Sequence, residues 1–102
     1  MYLFQILLPV YGNDGRRIAR ATFDSAAEDL AHHFGGLTAY VRAPARGLWR
    51  QRGGRLRRDD IVVYEVMAKA LRSREWRARR SRLQKLFRQK QIVVRALRLQ
   101  QI

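Results

Sequence analysis

Ile61-Val62-Val63-Tyr64-Glu65-Val66-Met67 is the stretch that decides the fold. Its β-branched and aromatic side chains lose rotamer freedom in a helix and suit a pleated strand. The N-terminal Tyr2-Leu3-Phe4-Gln5-Ile6-Leu7-Leu8 has the same character, apolar throughout except at Gln5. Runs that are apolar on both faces belong in the middle of a sheet. Gln5 and Glu65 then mark the less buried side of two central strands.

Working outward, residues 9–17 contain Gly12-Asn13-Asp14-Gly15 and read as a turn-rich loop. A helix follows, with Ser25 and Glu28 spaced as a capping box and Thr22 as the alternative cap one turn earlier. Phe23, Ala27, Leu30 and Phe34 form its apolar stripe, and Gly35-Gly36 stops it. A strand over 37–41 is broken at Ala43-Pro44 and resumes near Leu48-Trp49. Gly53-Gly54 then turns the chain back as a hairpin into the decisive strand. A second helix is predicted over about 73–89, with Trp76, Leu83, Leu86 and Phe87 as its stripe, and a last strand over 92–99.

The order is β-α-β-β-α-β. With right-handed crossovers it gives an α+β, ferredoxin-like arrangement: a four-stranded antiparallel sheet with two helices on one face. The chain of 102 residues carries no repeat or linker and reads as one such domain over 1–102. At that length roughly two-thirds of the unfolded surface is buried, enough for one core.

Two helices leave the other sheet face open. On the face marked by Gln5 and Glu65 that surface holds Leu3, Gln5, Leu7, Tyr40, Ile61, Val63, Glu65, Met67, Val93, Arg95 and Leu97. A contiguous patch this apolar is ill suited to water. A homodimer formed through the sheet is the expected remedy, a module that binds a ligand or a protein partner or serves structurally. Within it Glu65 needs a cation, Arg42 or Arg95, or else sits in a pocket with a raised pKa.

Charge is the second strong signal. The chain has 22 Lys and Arg against 8 Asp and Glu, a net of +14. Residues 1–41 carry a net of −1 and the remainder +15. An imbalance within one domain suggests a basic face that attracts polyanions. On the second helix Arg74, Arg77, Arg82, Lys85 and Arg88 spread opposite Trp76 and Leu83. On the hairpin Arg46, Arg50, Arg52, Arg55, Arg57 and Arg58 surround Trp49, a mixture suited to stacking and phosphate contacts on a single strand. The competing reading is a solvated face in an arginine-rich proteome, since arginine outnumbers lysine 19 to 3. An RNA-recognition motif shares the element order, but the third strand lacks its glycine, its basic start and its phenylalanines.

Little else carries chemistry. Cysteine is absent, which excludes disulfides, thiolate metal sites and cysteine nucleophiles. Adjacent His32 and His33 point about 100° apart on a helix and cannot chelate one ion together. Gly12-Asn13-Asp14-Gly15 lacks the lysine of a P-loop. Asp59-Asp60 neutralise Arg57 and Arg58 beside them. The serines and threonines have no activating neighbour in sequence, so no catalytic residue, metal or cofactor is expected. An enzyme here would be a cofactor-free one built round Glu65 or a histidine. No run approaches the roughly 20 apolar residues of a membrane span. The apolar N-terminus lacks the basic flank of a signal peptide. The expectation is a soluble, cytoplasmic protein.

Gly36-Leu37-Thr38, Gly47-Leu48-Trp49-Arg50, Gly54, Arg58-Asp59 and Ile61-Val62-Val63 together resemble a family of small bacterial domains of uncharacterised activity. A "GLT", a "G-x-W" and a hairpin recur in that family. The resemblance implies a ferredoxin-like fold and no activity.

Overall fold

The computed structural model describes residues 1–50 and 56–102, with side chains over 1–39 and 60–102. Its elements are β1 (Tyr2–Pro9), α1 (Arg20–Phe34), β2 (Thr38–Arg50), β3 (Leu56–Ala68), α2 (Ser73–Leu86) and β4 (Val93–Arg98). The strands form one antiparallel sheet in the order β2-β3-β1-β4. That is the ferredoxin-like order expected from the sequence, with the two most apolar strands in the centre.

Burial alternates along both central strands. Phe4, Ile6 and Leu8 of β1 and Val62, Tyr64 and Val66 of β3 are buried, while Leu3, Gln5, Leu7, Ile61, Val63 and Glu65 are half-exposed. The buried set meets Ala26 and Leu30 of α1, Trp76 and Leu83 of α2, and then Phe87 and Ile92. Trp76 ties the layers together. Its ring stacks on Phe4 at 4.2 Å and 16°, and on Phe34 at 5.3 Å and 15°. The Tyr64 hydroxyl donates to the Phe23 carbonyl (3.2 Å). Burial first, then nearby Asp24, raises the pKa of this phenol. The protonated form is therefore favoured by folding, and that contribution is lost only as alkali rises through the raised value.

Several boundaries differ from the sequence reading. α1 starts at Arg20, with Ala19 at its N-cap and no side-chain cap bond, so Ser25 and Glu28 lie inside the helix. Packing holds this extra turn: Phe23 meets Phe87 edge-on at 5.1 Å. Gly35, at φ 77°, ends α1 in the left-handed conformation that glycine adopts without penalty. β2 continues through Ala43-Pro44, with a register shift between Tyr40 and Ala45. The pairing with β3 is thus irregular at the point where the sequence places the break, while β2 runs on as an edge strand, where proline is tolerated. The Gly53-Gly54 turn lies outside the described residues.

α2 ends at Leu86, earlier than predicted, and its buried face differs by one residue. Leu86 is 44% exposed, whereas Arg79 is only 8% exposed. At about 100° per residue, Arg79 lies nearer Trp76 around the axis than Leu86 does. It also faces α1, where Asp29 and Phe34 receive it.

Candidate functional site on the open sheet face

The pairing register brings three polar side chains into one line. Gln5 of β1 lies opposite Glu65 of β3 and opposite Arg95 of β4. Arg95 Nε donates to Gln5 Oε1 (2.7 Å), and Gln5 Nε2 donates to Glu65 Oε2 (2.8 Å). The partner expected for Glu65 therefore reaches it through Gln5 as a relay. Arg42, the other expected partner, and Tyr40 have side chains outside the described residues.

Apolar rows flank this line. Leu7 lies between Val63 and Val93 on one side, and Leu3 between Met67 and Leu97 on the other. Val93, Met67 and Leu97 are exposed, because neither helix covers this face. A carboxylate, a carboxamide held at both ends and a guanidinium thus sit within an apolar field. Such a row can accept bonds from hydroxyls or amines at Glu65 and offer donors at Arg95.

The basic residues of α2 separate into two groups around Trp76. Arg79 donates to Asp29 (3.1 Å) and lies 5.1 Å from the Phe34 ring centre, and exposed Arg72 pairs with Glu75 at 3.6 Å. Phe34, Arg72, Glu75 and Arg79, with His33 and Lys69, line a cavity of about 440 Å³ between α1 and α2. On the other flank Arg77 and Arg80 line a smaller one, about 200 Å³, between α2 and β4. Arg74, Arg77, Arg82, Lys85 and Arg88 are all exposed, and none is ion-paired among the described residues. Trp49, Arg50, Arg52 and Arg55 of the hairpin, with Arg46, Arg57, Arg58 and Asp59, have side chains outside the described residues.

His32 and His33 are exposed at the end of α1, in the helical layer, and so are not brought to Glu65 on the open face. Among the described residues no group of three or more His, Cys, Asp or Glu gathers to hold a metal. Two amides of the Gly12-Asn13-Asp14-Gly15 turn are bonded within the loop itself. Gly12 and Gly15 donate to the Arg16 and Gly12 carbonyls, while Asp14 accepts from the Arg16 amide. No helix among the described residues is long and apolar enough to cross a membrane.

The fold has solved counterparts. Over 94% of this chain and 79% of the other, it superposes on a phage SAM lyase in complex with S-methyl-5'-thioadenosine, with a TM-score of 0.65 at 15% identity. The same description, phage SAM lyase, applies to an apo structure at a TM-score of 0.61 and 12% identity, covering 94% of this chain and 78% of that one. At such identity the likeness establishes a shared fold. No protein-family model and no curated protein matches the sequence.

Two features of the site escape sequence reading. The relay role of Gln5 needs the register of three strands, and only the two marker positions hint at it. Helical spacing sets Arg79 beside the apolar stripe, but the covering of its guanidinium by Asp29 and Phe34 needs the position of α1.

Proposed function

We propose that the protein is a small-ligand-binding module that self-associates as a homodimer through its open sheet face. One observation carries this reading: the hydrogen-bonded Arg95–Gln5–Glu65 row in the middle of an uncovered apolar surface. Convergent polar groups within apolar walls are the usual make-up of a ligand site. Pairing two copies face to face buries Leu3, Leu7, Ile61 and Val63 and encloses the polar row between them. The fold neighbour bound to S-methyl-5'-thioadenosine supports a nucleoside thioether as the first ligand to test. Its sugar hydroxyls suit Glu65 as acceptor, and its methylthio group suits the apolar rows.

Sedimentation at high micromolar concentration is expected to give a dimer, and a monomer there overturns the assembly. Calorimetry with S-methyl-5'-thioadenosine and S-adenosylmethionine tests the ligand. Glu65→Leu is expected to weaken binding at least about tenfold, the equivalent of one lost charge-assisted bond. It also leaves the Gln5 amide without its acceptor in the closed face, a loss of about 1–3 kcal/mol in the dimer. An unchanged melting temperature means that Glu65 remains in water.

A second reading is favoured by the exposed cations Arg74, Arg77, Arg82 and Lys85 of α2 and Arg88 just beyond it, none ion-paired among the described residues: a docking surface for nucleic-acid phosphates. A charge of +14 attracts any polyanion at low salt, so only localised binding is diagnostic. The triple variant Arg77→Glu, Lys85→Glu, Arg88→Glu is expected to abolish oligonucleotide binding at physiological salt. Reversing Arg50, Arg52 and Arg55 is expected to weaken it less. Equal losses return both sets of arginines to a diffuse, solvated charge. Little base preference is expected, because no base-reading motif is present.

A further inference from the structure

Trp76 divides the charges of α2 unevenly. On the α1 side each acid is engaged: Glu75 by Arg72, and Asp29 by Arg79. On the β4 side Arg77 and Arg80 line the cavity of about 200 Å³ together with Ser73, and among the described residues no carboxylate lines it. Phe4, Trp76, Val94 and Ala96 supply its apolar wall. Arg95 also borders it, but its Nε is held by Gln5.

We infer that this cavity between α2 and β4 binds a tetrahedral oxyanion, namely a phosphoryl group. Two guanidiniums three residues apart share one side of a helix and repel each other unless an anion lies between them. Arginine offers paired N–H donors that match phosphate oxygens, and the Ser73 hydroxyl adds a neutral donor. The aromatic wall excludes water from one side, which strengthens each of these bonds. The volume suits an oxyanion and falls below that of a typical drug-sized pocket, about 300–1,000 Å³. This inference does not depend on the open-face row.

The chain has 2 tryptophans, and Trp76 lines the cavity, so Trp49→Phe leaves one fluorescent reporter at the site. Titration with sodium phosphate is expected to change Trp76 emission to saturation, with Kd of about 1 mM or tighter. Sodium chloride at equal ionic strength is expected to leave it unchanged. Arg77→Ala with Arg80→Ala is expected to weaken phosphate at least about tenfold. Arg16→Ala with Arg17→Ala removes the same charge from the β1–α1 loop and is expected to leave binding intact. Calorimetry on the unsubstituted chain and the same two double variants gives the result independently of Trp49→Phe. Adenosine 5'-monophosphate in place of phosphate separates the sources: tighter binding identifies a phosphate ester, equal binding the free ion. Chloride acting as phosphate does, or equal losses from the two double variants, overturns the inference.

Discussion

Trp76→Ala is expected to destabilise the protein by about 3–5 kcal/mol, the range for deleting a large buried aromatic. The indole is only 7% exposed and lies between Phe4 of the sheet and Phe34 of α1, near parallel to both. Its removal deletes apolar burial, two ring contacts and the wall shared by both cavities. Domains of this kind have roughly 5–15 kcal/mol in total, so the variant retains a small margin. Trp76→Phe keeps a ring in the stack and is expected to lose less than half as much. Urea denaturation of the three proteins measures both values. A loss below about 1 kcal/mol for the alanine variant would mean that the sheet and helices are held together elsewhere.

The same stack explains what was legible in the sequence. Trp76, Leu83 and Phe87 recur at helical spacing, and all three are buried as that spacing requires. Gln5 and Glu65 each interrupt an apolar run, and period-2 alternation then assigns every neighbour to a face. The open face follows directly, from Leu3 to Leu97. What was not legible depends on contacts distant in sequence. The capping pattern at Ser25 and Glu28 is a sound local signal, yet tertiary packing of Phe23 on Phe87 extends α1 beyond it. Pro44 does disturb the ladder, whose register shifts between Tyr40 and Ala45, but the edge position of β2 lets the strand resume beyond it. Between Glu65 and Arg95 the sequence names the two charges and not Gln5, the neutral side chain that links them.

Arg79→Ala is expected to cost about 2–3 kcal/mol, although arginine on a helix surface is usually replaceable at small cost. The guanidinium lies 5.1 Å from the Phe34 ring centre and 5.7 Å from that of Trp76. Its side chain is only 10% exposed, so the stem packs as a core residue while the head makes a cation–π contact with limited water. Asp29, its partner at 3.1 Å, is 71% exposed. A pair between two exposed residues contributes about 0.2–1 kcal/mol. Here one partner is buried, so Asp29→Ala leaves a desolvated cation without its carboxylate and is expected to cost about 1–2 kcal/mol. Arg79→Met keeps the stem volume and removes the charge, and is expected to fall below either alanine change. In the Arg79→Met background, Asp29→Ala is then expected to have almost no effect. A double-mutant cycle by urea denaturation reads this coupling directly. If Asp29→Ala has the same effect in both backgrounds, Arg79 is held by its apolar stem and aromatic neighbours alone.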